Sequence, residues 1–128
     1  MTFVDTNFFL RFLIKDNPEQ FKEAKKLFLE GASGELGLIT STIVVFEIYW
    51  VLKTYYQKTK PEIIKILQKI LRMDFMKIEE RDLLQKSLTF FKKKNFSLED
   101  CYNLVFAHEQ GVKNFKTFDQ NLRKIFKK

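Results

Sequence analysis

Two short apolar runs, Phe3-Val4 near the start and Phe115 to Phe118 near the end, each break off at an Asp, and each Asp is followed within two residues by an Asn. Between them, further short apolar runs alternate with stretches whose apolar residues recur at helical spacing. Strands alternating with helices demand parallel pairing through crossovers. The expected fold is therefore α/β, a three-layer sandwich with a central parallel sheet of four or five short strands. In such a sheet the chemistry is presented at the C-terminal tips of the strands. Asp5 and Asp119 stand at such tips.

The elements can be read one by one. Thr2 to Val4 is a strand, and Asp5-Thr6-Asn7 opens an apolar helix through Ile14. Asn17-Pro18 starts a second helix, with Asn17 as cap and Pro18 at the first helical position. Leu36 to Thr40 is a strand, and Ser41 or Thr42 caps a helix running to about Tyr56. Pro61 opens the next helix. Phe75 to Ile78 is a strand candidate, and Glu79 to Lys94 is helical. Ser97 caps a helix that stops at Gly111, and Phe115 to Phe118 forms the last strand before a short final helix. No interior linker or repeat divides the chain, so 1–128 reads as a single domain. At 128 residues it can bury a core without disulfides.

Two further acids interrupt apolar helical patterns. Glu47 sits in Val44-Val45-Phe46-Glu47-Ile48-Tyr49-Trp50-Val51-Leu52, where a charge is costly unless it is paired, metal-bound or turned to solvent. Asp100 follows Ser97 by three residues. Taken singly, Asp5 and Asp119 are equally well read as helix caps, and Asp100 as a first-turn acid answering the helix dipole. Taken together, Asp5, Asp100 and Asp119 fall on one sheet edge, and Glu47 leans back toward it because helical side chains tilt toward the N-terminus. Four carboxylates in one cleft repel, and a Mg²⁺ or Mn²⁺ ion relieves that repulsion. Oxygen donors suit these hard ions rather than zinc or copper. Asp5 and Asp119 are expected close enough to share a metal or its water shell.

Charge and cysteine content narrow the setting. The net charge is +7, and residues 61–128 carry most of the excess. A basic surface favours a polyanion, with nucleic acid first, although lysines also merely solvate helix faces. The single cysteine, Cys101, excludes an internal disulfide and a zinc cluster. No apolar run approaches the ~20 residues of a membrane span. No signal peptide is read at the start. A soluble, cytoplasmic protein is expected, with Cys101 in the core and His108 structural or at the surface.

Val4-Asp5-Thr6-Asn7, Glu47 in an apolar helix, Asp100 followed eleven residues later by Gly111, and Thr117-Phe118-Asp119 together resemble the motifs of PIN-domain ribonucleases. The nearest type is the VapC toxin of toxin–antitoxin pairs. The likeness runs over essentially the whole chain, in order and spacing. It implies a PIN fold, Mg²⁺ or Mn²⁺ dependence, and endoribonuclease cleavage of single-stranded RNA to 5′-phosphate and 3′-hydroxyl ends. A homodimer and a cognate antitoxin partner are also implied. By position, Asp5, Glu47, Asp100 and Asp119 match the catalytic, metal-binding quartet, while Thr6, Asn7 and Thr117 match its supporting polar residues. One stretch departs from the pattern. Asp100-Cys101-Tyr102-Asn103-Leu104 stands where such proteins are small and aliphatic, so Tyr102 and Asn103 reshape that position, and Glu99 is an extra acid beside the third.

Other readings are open. A PIN-fold nuclease of RNA processing needs no antitoxin, and a PIN-like binding module needs no catalysis. A haloacid-dehalogenase-like phosphatase wants a second Asp two residues after the first, where this chain has Asn7.

Overall fold

The computed structural model describes all 128 residues. They form two compact units, Met1–Arg81 and Asp82–Lys128.

The first unit holds a parallel sheet of three strands, β1 (Thr2–Phe3), β2 (Leu38–Thr40) and β3 (Met76–Ile78), in the order β1-β2-β3. The register pairs Thr2 with Leu38, Leu38 with Met76, and Thr40 with Ile78. Each parallel step needs a long crossover. Helices α1 (Thr6–Ile14) and α2 (Pro18–Ala32) make the first, and α3 (Thr42–Thr54) and α4 (Lys60–Leu71) make the second.

Local chemistry sets these boundaries. Asn17 Oδ1 accepts from the Gln20 amide, with Pro18 at the first helical position. Ser41 rather than Thr42 caps α3, its hydroxyl accepting from the Val44 amide. A reciprocal capping box of Thr59 and Glu62 opens α4, so the helix starts at Lys60, before Pro61. Lys15, at the end of α1, takes the left-handed conformation at φ 62°.

The core of this unit is aliphatic and aromatic. Phe9, Leu38, Ile48, Leu52, Leu67, Ile70 and Met76 are fully buried. Phe28 packs against Phe9 and Phe12 at 5.5 and 4.9 Å between ring centroids. Gly31 permits the close approach of α2 to β2: a Cβ there would lie 2.4 Å from Leu38 Cδ1. The Arg81 guanidinium donates to the carbonyls of Leu71, Met73 and Met76, fastening the turn between α4 and β3. At the surface, Arg11 Nη1 donates to Asp16 and to Tyr56 Oη, each at 3.0 Å, and Tyr56 Oη donates to Asp16 at 2.9 Å. The Tyr56 hydroxyl, then the Arg11 guanidinium, hold the Asp16 carboxyl below its usual range.

One buried bond ties the sheet together where β1 ends. Thr40 Oγ1 donates to the Val4 carbonyl at 2.8 Å. Thr40→Val keeps the shape and removes the donor. It should destabilise the protein by about 1–3 kcal/mol, the cost of an unmet buried acceptor. Urea unfolding checks this; an unchanged midpoint would show that the bond contributes nothing.

The second unit is helical. It contains α5 (which opens at Arg81 and ends at Lys93), α6 (Leu98–Glu109) and α7 (Gln120–Phe126). Helix α5 starts two residues later than the apolar pattern suggests, because Glu80 adopts φ 57° and breaks the helical run. Lys86 pairs with Glu109 at 2.5 Å, joining α5 to α6. Ser97 caps α6 through the Asp100 amide, and Gly111 takes φ 69° just past its end. Leu98, Cys101 and Leu104 are buried, and His108 is exposed with its ring 5.6 Å from Phe126.

The expected strand over Phe115 to Phe118 is not found; that segment is irregular. Its alternation is not matched by burial. Phe115 is only half-buried, and Phe118 is 99% exposed. Arg123 instead satisfies the Thr117 carbonyl through Nε and Nη2, at 3.1 and 2.6 Å. The α/β class and the parallel sheet agree with the sequence reading, and three strands are paired in it.

Candidate functional site

Asp5 follows β1 and caps α1, its Oδ1 accepting from the Thr6 amide at 2.8 Å. The side chain is exposed. One carboxylate oxygen is thereby engaged, and Oδ2 makes no hydrogen bond. Next to it, Thr6 is 6% exposed, and its Oγ1 is buried without any hydrogen-bond partner. Asn7 is exposed and lines a hollow of about 190 Å³ together with Phe8, Arg11 and Gln20.

Glu47 takes the last of the three settings open to it, turned to solvent. Its side chain is exposed, so it incurs no burial cost. Helix α3 turns Val44, Val45, Ile48, Tyr49 and Leu52 to the core. The opposite stripe carries Glu47 between Ile43 and Trp50, which are 70% and 57% exposed. The unbroken apolar run conceals two faces, and Glu47 belongs to the outer one.

In the second unit, Asp119 caps α7. Its Oδ1 accepts from the Asn121 and Leu122 amides at 2.9 and 3.1 Å. Its own amide donates to Thr117 Oγ1 at 3.1 Å, which fixes the Thr117 hydroxyl. Asp119 therefore follows an irregular segment. Asp100, half-buried in the first turn of α6, has a carboxylate free of hydrogen bonds, and Glu99 beside it is exposed. Asn103 is exposed, and Tyr102 stacks on Phe106 at 6.0 Å.

The first unit thus supplies Asp5 and Glu47, and the second supplies Asp100 and Asp119. Neither unit by itself brings together three or more His, Cys, Asp or Glu side chains that could hold a metal ion. The donor chemistry nonetheless fits a hard divalent cation. Asp5 and Asp119 each keep one oxygen outside their capping bonds, and Thr6 Oγ1 is a buried oxygen with no partner. Mg²⁺ commonly retains several waters and takes only one or two carboxylates directly.

Sequence reading did not find one feature of the second unit. Lys113, Lys116, Arg123 and Lys127 line one hollow of about 380 Å³. Its only trace in the sequence is the basic excess of the second half.

An α/β protein with a parallel sheet, capped by an acid just after its first strand, is the class that these observations define. A PIN domain family model matches residues 2–128, and the chain belongs to the PIN domain family. A VapC ribonuclease of Aquifex aeolicus (strain VF5) is 22% identical over 125 residues, covering 98% of this chain and 92% of that protein. Among solved structures, Mycobacterium tuberculosis VapC20, described as a sarcin-ricin loop cleaving toxin, aligns with 98% of this chain and 95% of its own. It does so at 17% identity and a TM-score of 0.45.

Proposed function

We propose that this chain is a metal-dependent endoribonuclease, the toxin of a type II toxin–antitoxin pair. The observation that carries the reading is the PIN family match over residues 2–128, which takes in both units and all four acids. It also supports treating 1–128 as one domain. The similarity to a protein named VapC ribonuclease, nearly end to end, favours the toxin type. A cognate antitoxin and a homodimer are part of the same proposal. So is a cytoplasmic setting; no helix is long and apolar enough to cross a membrane.

In this reading Asp5, Asp100 and Asp119 ligate Mg²⁺ or Mn²⁺, with Glu47 as a ligand or an orienter of water. When bound, such an ion lowers the pKa of water and polarises a phosphoryl oxygen. The chain's own residues position the reaction. The capping bonds of Asp5 and Asp119 fix one oxygen of each carboxylate and so aim the other. Thr117 Oγ1, held by the Asp119 amide, keeps its own hydrogen free to donate to a phosphate or a water. Thr6 Oγ1 offers a second such donor, and Asn7 a third at the exposed surface.

Thr6→Val separates role from packing. Burying an unpaired hydroxyl costs about 1–3 kcal/mol, so its removal should leave the protein as stable or about 1 kcal/mol more stable. Cleavage should nevertheless fall by about tenfold, the worth of about 1.4 kcal/mol. Thermal melts alongside RNA turnover check this; full activity in the variant would remove Thr6 from the mechanism.

The function itself is tested by inducing the protein briefly in cells and mapping new 5′-phosphate ends in total RNA. Discrete new ends with the native chain and none with Asp5→Asn are expected. Identical end maps from the two would refute the proposal.

A further inference from the structure

The hollow in the second unit has a composition that the metal chemistry does not use. Lys113, Lys116, Arg123 and Lys127 converge on it, and no acid lines it. Its floor is aromatic: Phe115 and Phe126 pack at 5.1 Å between centroids. A second hollow continues from it, sharing Arg123 and Lys127 and adding Lys124. Arg123 is fixed by its two bonds to the Thr117 carbonyl, while the lysines form no ion pair with any acid of the chain. At about 380 Å³ the larger hollow is in the range of sites that take a small organic ligand.

Five cations spread over adjoining hollows suit a chain of phosphates better than one compact anion. Cations alone would equally suit an acidic peptide. Phe118 decides for nucleic acid. It lies between Thr117, which lines the hollow, and Asp119, and at 99% exposure its ring has no packing role. A fully solvated aromatic beside a cationic groove is the arrangement by which proteins hold unpaired bases.

We propose that this cationic hollow holds the sugar–phosphate backbone of single-stranded RNA, and that Phe118 stacks on one of its bases. The proposal rests on the reading of RNA as substrate and deepens it. It names a surface that binds the strand beyond the acids that act on it.

The test is fluorescence anisotropy with a labelled single-stranded oligoribonucleotide, over a range of KCl, in the Asp5→Asn background so that no cleavage intervenes. Lys113→Gln/Lys116→Gln/Lys127→Gln should weaken binding by about tenfold or more. It should also make the log–log salt dependence shallower by about 2, at about 0.7 per phosphate contact. The matched variant Lys22→Gln/Lys25→Gln/Lys26→Gln, which removes the same charge from exposed positions of α2, should change neither. Phe118→Ala should weaken binding by about fivefold or more, and Phe118→Trp should restore it. Equal weakening by the two triple variants would reduce the effect to net charge and overturn the proposal. So would unchanged binding in the first triple, or RNA binding intact where binding of a labelled poly-glutamate peptide is lost. Failure here is separable from failure of the ribonuclease reading. RNA held through this hollow by a native chain that cuts none sinks only the latter. RNA cut normally by the Lys113/Lys116/Lys127 variant sinks only the former.

Discussion

Asp5→Asn and Asp119→Asn should each lower RNA cleavage by about a hundredfold to a thousandfold while leaving the fold intact. The two halves of that expectation have different causes. Each Asp caps a helix through Oδ1. Asn caps about as well as Asp, because the bond needs an oxygen and not a charge. The stability cost should therefore stay within a few tenths of a kcal/mol. What Asn removes is the negative charge. In the proposed mechanism that charge holds the cation, which would supply several kcal/mol of transition-state stabilisation, and about 1.4 kcal/mol is tenfold in rate. Asp119→Ala provides the contrast. It removes charge and cap together, so it should lose activity and also about 1 kcal/mol of stability. Single-turnover cleavage with parallel thermal melts separates these outcomes. An Asn variant that melts normally and cuts normally would leave its acid with a capping role alone.

Metal removal should have the larger effect, a loss of cleavage to background in EDTA, regained on adding Mg²⁺ or Mn²⁺. The charge distribution gives the reason. Asp5, Glu47, Asp100 and Asp119 are acidic positions in a chain of net charge +7, and the scissile phosphate is itself an anion. Bringing phosphate to carboxylates is repulsive unless a cation lies between them. The lone His108 is exposed beside Phe126, and no second His exists to run metal-free acid–base chemistry. Zn²⁺ should substitute poorly, since the donors are oxygen atoms. Cleavage that persists at full rate in EDTA would require a different mechanism.

Much of the fold can be read from the chain because its signals are local. Asn17-Pro18, Ser41, Ser97 and Asp119 all cap the helices that their positions suggest. The parallel sheet follows from short apolar runs separated by helices, and all three paired strands fall within the expected runs. What local signals do not show has tertiary causes. Phe115 to Phe118 has the composition of a strand, but Phe118 is almost fully exposed and the segment is irregular. Glu47 stands in a run so apolar that its helical period is hidden. Only packing reveals that Ile43 and Trp50 share its solvent face. Thr59 lies in a loop of polar residues, where its capping box with Glu62 is easily passed over.

The candidate site was legible as residue types and order, and less so as geometry. Asp5, Thr6 and Asn7 declare themselves by following an apolar strand, yet nothing in the sequence marks the Thr6 hydroxyl as buried and unpartnered. The cationic hollow was visible only as a charge bias, because Lys113 and Lys116 are brought beside Arg123 and Lys127 by the turn into α7. Composition records the charge; the chain path gathers it.

The central claim is that the acids of this PIN domain hold a divalent cation for phosphodiester cleavage. It is tested most directly by calorimetric titration of Mn²⁺ into the native protein, Asp5→Asn and Asp119→Asn. Saturable binding to the native chain, lost or strongly weakened in both variants, is the result expected. Absence of Mn²⁺ binding to the native chain, or equal binding by all three proteins, would contradict it.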